Sequence, residues 1–260
     1  MSDFVRAKKH LGQHFLNDQN IAEKIAMALH PEGRYKKVLE VGPGMGVLTK
    51  FLLQRNDLET WVCEIDRESV AYLSENYPEL RPRIIADDFL RKDFTEFFSE
   101  PAAVIGNFPY NISTQILFRV LDFKDSVPEV VGMFQKEVAL RIAEKPGSKT
   151  YGITSVLLQA WYDIEYLFTV PPNVFTPPPK VNSAVIRLRR NNITDLGCDE
   201  NLFKQVVKAA FNQRRKQMRN SLHAFRVKEG EEKNPVFTLR PEQLSVEEFI
   251  RLTLLLQPKT

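Results

Sequence analysis

The chain has 260 residues, 43% of them hydrophobic, with 36 lysines and arginines against 33 aspartates and glutamates. That length fits one large or two small domains with a proper core, and no run of about 18 apolar residues is present to cross a bilayer. Cys63 and Cys198 are too few for a disulfide framework, no Cys/His cluster has zinc-ligand spacing, and the polar MSDFVRAKKHLGQHFL start lacks a signal-peptide core, so a reduced, metal-free cytoplasmic protein is expected.

Asp18 to Leu29 reads as a helix, with Ile21, Ile25, Ala28 and Leu29 on one face. The apolar run 38-VLEV-41 breaks into 42-GPGMG-46, and helical spacing resumes at Val47, Leu48, Phe51 and Leu52. A second strand fits 60-TWVCE-64, with a helix around Val70 to Leu73 behind it. Further strands fit 83-RIIA-86, 102-AAVI-105 and 130-VVGMF-134. Ile112, Ile116, Leu117, Val120 and Leu121 keep helical spacing between the last two. Strands alternating with helices predict an α/β fold with a mainly parallel sheet. An apolar helix follows Tyr151, then the proline cluster 171-PPNVFTPPPK-180 and the strand-like 181-VNSAVIRLR-189. Asn191 to Glu200 is polar and reads as a linker. Beyond it the pattern is helical: Leu202, Phe203, Val206, Val207, Ala210 and Phe211 form a stripe, and 245-SVEE-248 is a capping box. A domain boundary is therefore expected near residue 192, giving an α/β domain over 1–191 and a small all-helical domain over 192–260.

Charge is unevenly placed. Tyr166 to Thr194 holds Lys180, Arg187, Arg189 and Arg190 and no acid. Asn201 to Lys228 holds Lys204, Lys208, Arg214, Arg215, Lys216, Arg219, Arg226 and Lys228, again with no acid. A basic sector on an otherwise acidic body predicts a polyanion partner, whose phosphates the cations would neutralise with release of counterions.

The strand, glycine turn and helix around Gly42 and Gly44 match a nucleotide-binding first crossover. Glu64 ends the second strand, placed to hold ribose hydroxyls. Asp88 follows the third strand, where its carboxylate can accept from an adenine amino group. The spacing is G-x-G-x-G, unlike the dinucleotide G-x-G-x-x-G, and Glu40 adds negative charge beside it. This disfavours a pyrophosphate and favours the cationic S-adenosylmethionine over NAD. The Walker lysine is missing, which argues against ATP hydrolysis.

The fourth strand runs out through 105-IGNFPYNIS-113. Asn107 falls at the sheet edge shared with Gly42, Glu64 and Asp88. An exocyclic base amine is a poor nucleophile because its lone pair is delocalised into the ring. The Asn107 side-chain carbonyl and the Pro109 backbone carbonyl can each accept one of its N–H bonds, favouring a pyramidal nitrogen. Tyr110 is a stacking surface for an extruded base, and Phe175 is a candidate second face. Positioning and electrostatics would carry catalysis without a strong base.

Asn-Phe-Pro-Tyr resembles the Asn-(Leu/Ile/Phe)-Pro-Tyr motif of adenine-N6 methyltransferases acting on ribosomal RNA. The segments 12-GQHFLND-18, 175-FTPPPKVNSAVIRL-188 and 211-FNQRRKQMRNSL-222 resemble those of the bacterial small-subunit ribosomal RNA adenine-N6,N6-dimethyltransferases. The resemblance implies a Rossmann-like class I methyltransferase domain and S-adenosylmethionine contacts at His14, Leu16, Gly42, Glu64, Asp88 and Asn107. At position 14 the family often has asparagine, so a backbone contact is the one expected to persist. It further implies a target adenine between Tyr110 and Phe175, and a substrate of two adjacent adenosines in the 3′-terminal hairpin of 16S rRNA, each dimethylated. Arg214, Arg215, Lys216 and Arg219 would then bind that RNA in an assembling small subunit, with the enzyme acting as a monomer. The large-subunit methyltransferases of antibiotic resistance share the tetrapeptide but are not expected to share the 211–222 signature. A third reading is an assembly factor acting mainly by binding.

Overall fold

The computed structural model describes residues 5, 7, 8 and 11–258. The chain runs through β1 (Phe15–Leu16), α1 (Gln19–Met27), β2 (Lys37–Val41), α2 (Thr49–Leu52), β3 (Glu59–Cys63), α3 (Arg67–Asn76), β4 (Ile84–Ile85), β5 (Ala102–Asn107), α4 (Ser113–Leu121) and β6 (Glu129–Gln135). It continues with α5 (Lys136–Ala143), α6 (Ile153–Gln159), β7 (Tyr162–Val170), β8 (Phe175–Thr176) and β9 (Ser183–Arg190). The C-terminal elements are α7 (Glu200–Asn212), α8 (Met218–Ser221), β10 (Phe225–Val227), α9 (Val246–Leu254) and β11 (Leu256–Pro258). Helices begin where side-chain oxygens can take up free amide protons: Asp18 accepts from Ile21 N–H at 3.0 Å, and Asp199 accepts from Leu202 N–H at 2.6 Å. The Ser245 box closes in both directions with Glu248.

A seven-stranded sheet runs in the order β4-β3-β2-β5-β6-β9-β7. The first five of these strands are parallel, and β9 lies antiparallel on β6. From β2 the chain steps outward to β3 and β4, then returns to β5 on the other flank of β2. The carboxyl ends of β2 and β5 are thus the switch point of the sheet, where a crevice opens in this architecture. The interior strands are apolar on both faces: Val104 and Ile105 of β5 and Val130 and Val131 of β6 are fully buried.

Two compact units result. One comprises Met1–Ala139 with Ile164–Arg190, the other Leu140–Asp163 with Asn191–Thr260. The sequence reading puts a boundary near residue 192; the compact units divide at 190/191, and Leu140–Asp163 belongs with the second. In that unit Tyr151 meets Phe211 edge-on at 6.1 Å and Phe211 stacks on Phe249 at 5.8 Å, which ties the segment to α7 and α9. A small antiparallel ribbon of β10 and β11 accompanies the helices there.

The arginines of β9, part of the first of the two basic stretches, have carboxylate partners within the fold. Arg187 pairs with Glu165, Arg189 Nε lies 3.6 Å from the fully buried Glu129, and Arg190 donates to Asp125 at 3.3 Å. Glu129 also accepts from Tyr35 Oη–H at 2.7 Å and His30 N–H at 3.1 Å. Charges so paired are not available to a polyanion.

Candidate active site

A cavity of about 260 Å³ opens at the switch point, lined by the β2–α2 turn, the ends of β3 and β5, the loop after β4 and residues 11–16. The turn follows a backbone that only glycine adopts readily: Gly42, Gly44 and Gly46 have φ of +70°, +56° and +79°. A Cβ on Gly44 would also stand 2.8 Å from the Phe15 ring, so the turn and the N-terminal segment approach through that missing atom. Gly44 N–H donates to Glu64 Oε2 at 3.0 Å, while Glu64 Oε1 accepts from Asp66 N–H at 2.9 Å. These bonds fix the carboxylate across the cavity floor. Burial raises its pKa against the opposing pull of the same two amides.

Glu40 lies deeper, 1% exposed, with Thr49 Oγ1–H donating to its Oε2 at 2.6 Å. Burial pushes its carboxyl up to about 8, the Thr49 bond opposes this, and the neighbouring Glu64 adds to it. Among the described residues neither Glu40 nor Glu64 has a cationic partner within ion-pair distance. Asp88 lines the cavity with its Oδ1 taken by Leu90 N–H at 2.9 Å and its Oδ2 3.5 Å from Arg91.

The tetrapeptide owes its placement to Phe108. Gly106 of β5 and Gly132 of β6 are register partners. A Cβ on Gly106 would meet the Phe108 ring at 2.7 Å, and one on Gly132 would meet it at 2.4 Å. Paired glycines therefore leave a slot that Phe108 fills at 1% exposure, stacked edge-on against Phe134. With Phe108 pinned in the core, Asn107, Pro109 and Tyr110 turn toward the cavity. Gly132→Ala should overpack this slot, lowering stability by about 1–3 kcal/mol in chemical denaturation. Unchanged stability would show that the slot has slack.

Asn107 Nδ2–H donates to the His14 carbonyl at 2.9 Å. A carbonyl only accepts, so this bond orients the amide and leaves Oδ1 as an acceptor. The Pro109 carbonyl accepts from Ile112 N–H at 3.1 Å and keeps a second lone pair. Tyr110 is held at its rim by a hydroxyl bond with Ser183, fully buried on β9, and on a face by the His14 ring at 5.3 Å and 28°. Burial raises its phenol pKa, so it stays neutral near pH 7 and is no general base. His14 Nδ1–H donates to the Pro177 carbonyl at 2.7 Å. Position 14 therefore acts on the tetrapeptide through both its backbone and its ring, a role that spacing alone does not reveal.

Leu16 also lines the cavity, buried to 3%. Phe175 is not among the lining residues; β8 pairs with β1, which sets Phe175 opposite Leu16 at 3% exposure, in one core cluster with Leu16, Ile25 and Leu48. The four basic candidates belong to the other unit, after α7. Arg215, Lys216 and Arg219 are exposed, with Arg219 also donating to Gln217 Oε1 at 2.8 Å. Arg214 Nη2–H donates to the Ser148 carbonyl at 3.1 Å and helps hold the 144–150 loop. Among the described residues no group of three or more His, Cys, Asp or Glu could hold a metal, and no helix is long and apolar enough to cross a membrane.

The family model for ribosomal RNA adenine dimethylase matches residues 4–255. A protein of Cytophaga hutchinsonii named ribosomal RNA small subunit methyltransferase A is 60% identical over 255 residues, which cover 98% of this chain and 99% of that one. Its namesake in Parabacteroides distasonis is 58% identical over 97% of this chain and 95% of its own. Among solved structures, a dimethyladenosine transferase from Plasmodium falciparum superposes with a TM-score of 0.77 at 21% identity, over 93% of this chain and 96% of that one. The 23S rRNA methyltransferase ErmE superposes with a TM-score of 0.64 at 24% identity, over 91% and 98%. At such identities the two structures speak for the fold.

Proposed function

The chain belongs to the ribosomal RNA adenine dimethylase family, and from that premise we propose that it dimethylates N6 of two adjacent adenosines in the 3′-terminal hairpin of 16S rRNA. S-adenosylmethionine, when bound, supplies a methyl group on a sulfonium. The cavity fits such a group: Glu40 and Glu64 are buried acids without a cationic partner among the described residues, and the Gly44 turn leaves room for close approach. In this reading His14 (through its backbone), Leu16, Gly42, Gly44, Glu64 and Asp88 hold the cofactor.

The single observation that carries the chemistry is the orientation of Asn107. Its Nδ2 is spent on the His14 carbonyl, so Oδ1 is the atom presented to a substrate amine. Asn107 Oδ1 and the Pro109 carbonyl accept the two N–H bonds of adenine N6 and draw its lone pair out of conjugation toward the methyl donor. Tyr110, fixed at its rim by Ser183, provides the ring on which the extruded base stacks. The proton lost after transfer comes from a cationic nitrogen and passes to water without a strong base. One N–H remains after the first methylation, so one acceptor suffices for the second. Arg215, Lys216 and Arg219 contact phosphates of the substrate particle. A monomer working in the cytoplasm completes the reading.

Small ribosomal subunits lacking the modification should take up about four labelled methyl groups each from S-adenosylmethionine, as two dimethylated bases require. Large subunits and DNA should take up none. Label on large-subunit RNA instead would favour the antibiotic-resistance type of enzyme. Tight binding to small subunits without label would leave an assembly factor.

A further inference from the structure

Glu40 is a buried titratable group that the methyl-transfer step leaves unused. It sits within β2 at 1% exposure, in register with Val62 on one side and Ile105 on the other, and it lines the cavity. Its one hydrogen bond among the described residues comes from Thr49 Oγ1 at 2.6 Å. The titratable groups coupled to it from neighbouring elements are Glu64 at the end of β3, whose charge disfavours a second one, and Tyr77 after α3, a neutral phenol. Among the described residues of the N-terminal segment, Lys8 is committed to Asp66 and Glu68. A buried carboxylate in that setting stays ionised only at high cost, and it sheds the cost by keeping a proton.

We propose that Glu40 is protonated in the free enzyme and gives up its proton when a cation enters the cavity, so that capture of the cofactor is coupled to proton release. The inference rests on the cofactor reading above and deepens it. A cation beside Glu40 supplies the missing counter-charge and returns the carboxyl to its ionised form. The sign follows directly. Below the pH at which free Glu40 ionises, about 8, each binding event expels a proton and affinity rises with pH. Above it the carboxylate is already charged and affinity levels off. A neutral nucleoside of the same shape gains nothing from this coupling. The site therefore distinguishes a charged methyl donor from its uncharged fragments by protonation as well as by fit.

The test is calorimetric titration of the full chain at pH 7 in buffers of different ionisation enthalpy, which counts protons. S-adenosylmethionine should release about one proton, and 5′-methylthioadenosine, which lacks both sulfonium and ammonium, almost none. Glu40→Gln should bind S-adenosylmethionine with that release abolished. An unchanged proton count in the variant, or equal release by the two ligands, would overturn the proposal. Should Glu40→Gln fail to fold, the wild-type profile decides. Affinity for S-adenosylmethionine should climb roughly tenfold per unit from pH 6 toward 8 and then flatten, whereas a flat profile throughout sinks the coupling. Absence of any binding at every pH would remove the cofactor reading itself, an outcome distinct from binding without proton release.

Discussion

Asn107→Ala lowers the single-turnover methylation rate by roughly 10²- to 10³-fold, equivalent to about 3–4 kcal/mol of transition-state stabilisation, and leaves RNA affinity nearly intact. The size follows from what the side chain does. An adenine amine reacts only when its lone pair leaves the ring, and an acceptor fixed in advance stabilises that pyramidal geometry without reorganising. Asn107 is fixed in advance because its Nδ2 is bonded to the His14 carbonyl at 2.9 Å. Alanine removes both the acceptor and this tie to the N-terminal segment. Asn107→Asp separates the two: it keeps an acceptor facing the substrate but sets a carboxylate oxygen against the His14 carbonyl. An intermediate rate for Asp, measured beside unchanged RNA affinity by filter binding, would show that the acceptor and its orientation both contribute. Wild-type rates in Asn107→Ala would eliminate the acceptor role.

The site was legible in the sequence to the extent that its residues mark ends of strands. Apolar runs that break into Gly42, Glu64, Asp88 and Asn107 reveal the carboxyl edge of a parallel sheet, because each break is local and its position along the chain is its position in the fold. What depends on a distant partner was hidden. Phe108 has no periodic signature as an anchor; the signal lay in Gly106 and Gly132, which only the sheet register places side by side. The setting of Phe175 depends on a distant partner too: pairing of β8 with β1 places it opposite the cavity-lining Leu16. The arginines of β9 looked like a nucleic-acid surface because their carboxylate partners, Glu129, Glu165 and Asp125, lie 22 to 65 residues away. Edge strand β7 was missed although Asp163 and Glu165 alternate with Tyr162, Ile164 and Tyr166 in the period of a half-exposed strand.

That pairing pattern sharpens the second large effect. With the β9 arginines occupied internally, the exposed cations after α7 carry the expected contact with RNA phosphates. Arg214 is set aside, since its bond to the Ser148 carbonyl supports the fold of its own unit. Changing Arg215, Lys216 and Arg219 together to glutamine keeps length and polarity and removes three charges. If each neutralises one phosphate, the slope of log affinity against log salt becomes shallower by about 2 to 3, and small-subunit affinity near physiological salt falls roughly 10²-fold. The cofactor cavity lies in the other unit and is lined by none of the three, so S-adenosylmethionine affinity should not move. Methylation at saturating substrate should then recover toward the wild-type rate, the reverse of Asn107→Ala, whose defect persists at saturation. A variant with unchanged salt slope would exclude these residues from the interface. A variant that binds as wild type but methylates slowly would mean that they orient the hairpin rather than hold it.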